Sequence, residues 1–124
     1  RIAELRQLGV ADPVRMITSS PTILGYAIGT IRAKVAYLRE LGFADPVRMI
    51  TETPAILGYA PERLLLCGRI VMCLDDWTDK MFARLLRESR AVIDAVAIAR
   101  PRTWSDVRAL IVAAKRNAAK TAKV

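Results

Sequence analysis

The chain repeats itself. Residues 5–27 read LRQLGVADPVRMITSSPTILGYA and residues 38–60 read LRELGFADPVRMITETPAILGYA, an offset of 33 residues from Leu5 to Leu38. Self-similarity at such a period is the signature of an array of supersecondary units, and it bounds the architecture more tightly than any other feature. Leu8 matches Leu41, Pro13 matches Pro46 and Pro21 matches Pro54. A third, eroded copy follows at an offset of 36: Leu38 maps to Leu74, Leu41 to Trp77, Arg48 to Arg84, Ile50 to Leu86, Glu52 to Glu88 and Ile56 to Val92. Its prolines are gone. A decayed final unit is expected of a capping repeat, whose outer face has no neighbour to bury against.

Each unit reads as a long helix, a short helix and a 3₁₀ turn. In the central unit, Ile31, Val35, Leu38 and Leu41 are spaced 4, 3 and 3, which makes one apolar stripe on a helix from about Thr30 to Leu41. Gly42 ends it. Asp45 caps a shorter helix with Pro46 at its first position, and Val47, Met49 and Ile50 supply the buried side. Pro54 stops that helix. Ala55-Ile56-Leu57 is too short for another and fits a 3₁₀ turn. Gly58 then permits a reversal, and Pro61 opens the next long helix. No unit closes a core alone. The predicted fold is therefore all-α: a single domain over 1–124, a short α-solenoid of about three repeats (1–27, 28–60 and 61–96). A C-terminal basic helix over 105–121, N-capped by Ser105, is expected to break the repeat after Pro101.

Charge narrows the partner. Lysine and arginine number 20 against 12 acidic residues, so the formal net charge is +8, and a chain this basic is drawn to polyanions. From Ala95 onward, Arg100, Arg102, Arg108, Lys115, Arg116, Lys120 and Lys123 face only Asp106. No apolar run approaches the length of a membrane span, and the C-terminal helix, whose apolar face is mostly alanine, is weak for insertion; no membrane partner is expected. The chain starts with Arg1 rather than Met, as expected of a processed form or a fragment. Cys67 and Cys73 lie six apart in a predicted helix, on different faces and too distant for a local disulfide, so both are expected to be buried, reduced thiols.

The unit LRELGFADPVRMITETPAILGYAPERL resembles the repeat of the mitochondrial transcription termination factor (mTERF) family. The residues that carry the resemblance are Leu38, Leu41, Gly42 and Phe43, then Val47 and Met49, then Pro54 and Leu57, then Ala60, Glu62 and Leu64. The first copy supplies Leu5, Leu8, Gly9, Pro21 and Leu24, and Lys34-Val35 fits the Lys-Val of the family's long helix. It spans about residues 1–94. The loop from Gly42 to Val47 is one residue shorter than the family's usual one, and about three units stand where members have more. The resemblance implies an α-solenoid acting on organellar DNA or RNA, in mitochondrion or chloroplast, during transcription, RNA processing or ribosome assembly. It implies no catalytic residues.

Arg15, Arg48 and Arg84 take the same place in successive copies, so a stack would set them as a ladder matched to regularly spaced phosphates. Lys80, Arg84, Arg87 and Arg90 are spaced 4, 3 and 3 on or beside one short helix and form a basic stripe. Arg100, Arg102, Lys115 and Arg116 extend the positive field. These ten residues are the candidate nucleic-acid contacts; each also fits a solvated surface. Asp75-Asp76-Trp77-Thr78-Asp79 spells the Asp-Asp-x-x-Asp pattern that holds Mg²⁺ in isoprenoid synthases, yet the chain is too short for that pocket and lacks a second acidic motif, so helix capping at a turn is the expectation. With no histidine, no glycine-rich phosphate loop and no partnered nucleophile, no enzymatic activity, cofactor, metal or small-molecule substrate is expected. Tyr26 and Tyr59 are expected to pack between copies. The alternative function is a structural adaptor in a larger, ribonucleoprotein assembly.

Overall fold

A computed structural model of the chain describes residues 2–122. Helices make up 76% of the chain, and no strand occurs among the described residues, so the all-α class holds. Lys123, counted above with the basic end, lies outside the described residues. Contacts gather into two compact units, one ending at Tyr59 and the other starting at Ala60. The boundary falls where the second copy of the repeat ends.

The first unit holds the two faithful copies. Helix α1 (Ile2–Gln7) is followed by α2 (Pro13–Ser19) and a 3₁₀ turn over Pro21–Gly25. Helix α3 (Ile28–Leu41), α4 (Pro46–Glu52) and a 3₁₀ turn over Pro54–Gly58 repeat the pattern. Local chemistry accounts for each boundary. Gly9 (φ 103°) and Gly42 (φ 114°) end α1 and α3 in the left-handed region that favours glycine. Past each, Val10 donates to the Leu5 carbonyl and Phe43 to the Leu38 carbonyl, a wide C-terminal turn that carries both apolar side chains into the core. Asp12 and Asp45 accept from the backbone N–H of Arg15 and Arg48, each at 3.1 Å, and Pro13 and Pro46 occupy the first helical turn.

The two copies pack on one another. Leu5, Ile23, Ile31, Leu38, Phe43 and Ile50 are almost wholly removed from water, each burial contributing roughly 1.5–3 kcal/mol before chain entropy is charged against it. The Tyr26 hydroxyl lies so close to Gly58 that a Cβ there would stand 3.2 Å from it, so a glycine in the second 3₁₀ turn makes room for the tyrosine of the first copy. Lys34 on α3 donates through Nζ to the Tyr59 carbonyl, tying the long helix to the end of its own copy.

The second unit departs from the repeat. Helix α5 (Pro61–Met72) and α6 (Asp79–Leu86) follow the long-short pattern, but α7 (Arg90–Ala99) stands where the other copies have a 3₁₀ turn. At the offset of 36, Gly58 becomes Asp94 and Pro61 becomes Ala97, so both residues that end the turn in the central copy are lost. Ser89 then caps a full helix by accepting from the Val92 N–H. Helix α8 (Trp104–Ala122) packs against α7. Its first turn is capped by Thr103, whose Oγ1 accepts from the Asp106 N–H at 3.2 Å, and not by Ser105, which already lies inside the helix. The buried side chains of this unit include Leu64, Val71, Phe82, Leu85, Ile93 and Val107.

Both cysteines are free thiols. Cys67 is buried, and that burial pushes its pKa up to about 11 despite the opposing charges of Arg63 and Arg90. Cys73, expected to be buried as well, is exposed; it is the C-cap of α5.

Candidate nucleic-acid interface

Of the three arginines expected as a ladder, two occupy the same place in their helices and the third does not. Arg15 and Arg48 are both the third residue of their short helices, exposed, with their backbone N–H groups held by the capping aspartates. Arg84 falls in the last turn of α6 instead. What the offset of 36 preserves is the pairing four residues on. Arg48 Nε stands 3.0 Å from Glu52, and Arg84 Nη1 stands 2.9 Å from Glu88. The first copy has Ser19 at that place, and the Arg15 side chain makes no ion pair among the described residues. Arg15 instead lines a groove of about 540 Å³ with Asp12, Met16, Thr51, Glu52 and Pro54, where two carboxylates share its surroundings.

The basic stripe predicted over Lys80, Arg84, Arg87 and Arg90 is broken. Helix α6 stops at Leu86, Arg87 is its C-terminal cap, and Arg90 is the first residue of α7. Only Lys80 and Arg84 share a helix. Arg90 Nε is 3.0 Å from Asp94 on its own helix. Lys80 and Arg87 are exposed.

Two of the candidate cations, Arg84 and Lys115, come together with Arg108 elsewhere in the second unit. A groove of about 400 Å³ between α6 and α8 is lined by Arg84, Trp104, Arg108, Ile111, Val112 and Lys115. Residues 104, 108, 111 and 115 are spaced 4, 3 and 4, which places them on one face of α8. At the edge of the groove, Glu88 is only 5% exposed. It accepts from Arg84 Nη1 through Oε1 at 2.9 Å and from Lys115 Nζ through Oε2 at 3.1 Å. Burial raises the pKa of such a carboxyl, but the hydrogen bonds and charges of Lys115 and Arg84 outweigh it and hold Glu88 below the ordinary range. Two cations against one carboxylate leave a net positive charge, to which Arg108 adds. Arg63 on α5 donates through Nη2 to the carbonyls of Glu88 and, at 3.0 Å, Leu86, fixing the backbone that carries this carboxylate.

Of the groove residues, the sequence does not single out Trp104, and Arg108 counts in the basic end but not among the candidate contacts. The signal was present as the helical spacing from Trp104 to Lys115, an aromatic ring followed at one turn and three turns by cations. Indole faces accept stacked bases and guanidinium and ammonium groups attract phosphate, so this set can do both. Arg116 and Lys120 are exposed on α8, and Arg116 does not line the groove. Arg100 and Arg102 frame a different cavity, on the far side of α7's C-terminus, and Arg102 pairs loosely with Asp75 at 3.5 Å.

The acidic run is used for structure. Asp75 donates its backbone N–H to the Arg102 carbonyl at 2.8 Å, and Asp76 Oδ1 accepts from the Trp104 N–H at 3.0 Å. No set of three or more acidic or cysteine side chains placed to hold a metal occurs among the described residues, nor any helix long and apolar enough to cross a membrane. Compared with family models, with curated proteins and with solved structures, the chain matches none.

Proposed function

We propose that this protein binds nucleic acid, holding structured RNA or DNA mainly through phosphate contacts. The observation that carries the reading is the α6–α8 groove, where Trp104 sits among Arg84, Arg108 and Lys115. The net charge of +8 supplies long-range attraction, and the buried Glu88 keeps two of the three cations in place. The repeat's resemblance to the mTERF unit supports a helical stack in the manner of an α-solenoid, working on organellar nucleic acid in transcription, RNA processing or ribosome assembly, in mitochondrion or chloroplast. Reading would be of backbone and shape more than of base edges.

The test is titration of a labelled duplex and a labelled RNA hairpin at two salt concentrations. Three phosphate contacts predict that log K falls against log salt with a slope of about −2 to −3. Absence of binding to both ligands at low salt would end the proposal.

An adaptor role is the second reading, and its surface test falls on Ile98 of α7, an apolar side chain that is 82% exposed. Under that reading, Arg84→Glu and Arg108→Glu leave nucleic-acid affinity unchanged, while Ile98→Asp abolishes capture of the protein partner.

A further inference from the structure

The cavity beneath the end of α7 is separate from the α6–α8 groove, and it takes in Arg100 and Arg102, which the sequence places among the candidate nucleic-acid contacts. It measures about 510 Å³ and is lined by Leu66, Arg69, Ile70, Cys73, Ala97, Arg100, Pro101 and Arg102. Its wall is aliphatic. Ile70 and Pro101 are buried, Leu66 and Ala97 partly so, and no aromatic ring faces the space. Three arginines line it; Asp75 makes only a long, exposed pair with the Arg102 guanidinium, and the Asp106 carboxylate accepts from the Arg102 backbone N–H at 3.3 Å. A space of this size, apolar inside with a few convergent charges at the mouth, has the make-up of a small-ligand site.

Arg100 supplies an independent observation. It is the only residue other than glycine with a positive φ among the described residues, at φ 51° and ψ 61°. The left-handed conformation is unfavourable for a residue with a Cβ, and a following proline disfavours it further. Glycine is the ordinary solution at a helix C-terminus, and this chain uses it after α1 and α3. After α7 the same turn is made by an arginine whose side chain stands at the cavity mouth. Such outliers persist where the surrounding structure over-determines them, and they cluster at ligand sites.

We propose that this cavity binds a small amphiphile with one anionic head, a carboxylate or a phosphate monoester, on an unbranched aliphatic tail. The head is held by Arg69, Arg100 and Arg102, guanidinium groups that grip such oxygens in pairs. The tail lies against Leu66, Ile70, Ala97 and Pro101. The aliphatic wall and the absence of a ring exclude base stacking as the mode of recognition. The occupant is a free molecule and not a bilayer, since a space of about 510 Å³ takes one tail.

Cys73 provides the readout, because it lines the cavity and is exposed while Cys67 is buried and serves as an internal control. Maleimide labelling of the full chain is followed with decanoate, decyl phosphate, decanol and inorganic phosphate, all below micellar concentration, and with phosphatidylglycerol vesicles. Decanoate and decyl phosphate are expected to slow labelling of Cys73 at least tenfold, and decanol, inorganic phosphate and vesicles to leave it unchanged. Arg100→Gly removes the guanidinium and relieves the backbone; it is expected to unfold at the same or a higher temperature while losing the protection at least tenfold. Arg102→Ala is expected to weaken protection as well. Equal protection by decanol, protection by vesicles alone, undiminished protection in Arg100→Gly, or labelling of Cys67 induced by decanoate would each overturn the proposal.

Discussion

Lys115 Nζ stands 3.1 Å from Glu88 Oε2 and so links α8 to the turn after α6, across a separation of 27 residues in the chain. The other carboxylate oxygen is taken by Arg84. One buried acid thus orders two cations that would otherwise sample many rotamers. Breaking a fully buried pair costs about 3–5 kcal/mol. Here Arg84 and Lys115 are 48% and 56% exposed and can resolvate once released, so Glu88→Gln is expected to cost nearer about 1–2 kcal/mol. Urea unfolding checks this; an unchanged midpoint would show that Glu88 orders nothing.

The same carboxylate sets a pH dependence. Its pKa is raised by burial but lowered more by Lys115 and Arg84, so in the folded state it lies below the ordinary 4.5. A carboxyl depressed on folding stabilises the protein above its unfolded pKa, and that stability disappears as pH falls through the folded value. The difference in unfolding temperature between the native chain and Glu88→Gln is therefore expected to be constant above about pH 6 and to close as the pH drops below about 4. Thermal unfolding at both ends of that range measures it. A difference that stays constant to about pH 2 would contradict the assignment.

The helix caps offer a test of the repeat itself. Asp12 and Asp45 make the same 3.1 Å hydrogen bond in successive copies, to Arg15 and Arg48. Asp12→Ala and Asp45→Ala are each expected to cost about 1 kcal/mol. Gly42→Ala is expected to cost more than about 1 kcal/mol, because φ 114° is closed to a residue with a Cβ. Urea unfolding of the three variants decides the order.

These caps were legible in the sequence because they are local. Asp45, Pro46, Gly42 and Pro54 act on backbone within a few residues of themselves, and α4 ends where Pro54 requires. Helix α7 was not, because the eroded copy lost Gly58 and Pro61 while keeping enough of the apolar pattern to be read as another 3₁₀ turn. Its appearance also splits the predicted stripe, since Arg87 and Arg90 fall on either side of Ser89. The cations of the groove were visible one by one, but their gathering depends on α8 lying beside α6 and on Glu88 reaching both. The Arg84–Glu88 pair is local and readable from its four-residue spacing, but the arrival of Lys115 has no sequence signal, because residues 88 and 115 meet only in the folded unit.

Trp104 and Arg108 stand one turn apart on α8 and line the same groove, yet they are expected to fail differently when replaced. Stacking of a base on an indole does not release counterions, whereas a phosphate contact does. Trp104→Ala is therefore expected to weaken binding of the RNA hairpin, whose loop bases are free to stack, by about 1–3 kcal/mol at every salt concentration, leaving the slope of log K against log salt unchanged. Arg108→Gln is expected to reduce that slope by about 0.7–0.9, so its effect on affinity shrinks as salt rises. Circular dichroism of both variants separates loss of contact from loss of fold, because Trp104 is half-buried at the start of α8. Parallel salt titrations of the two variants measure the distinction directly. If both shift the slope equally, the tryptophan is packing rather than touching the ligand; if neither changes affinity, the nucleic acid lies on another surface and the α6–α8 groove loses its role.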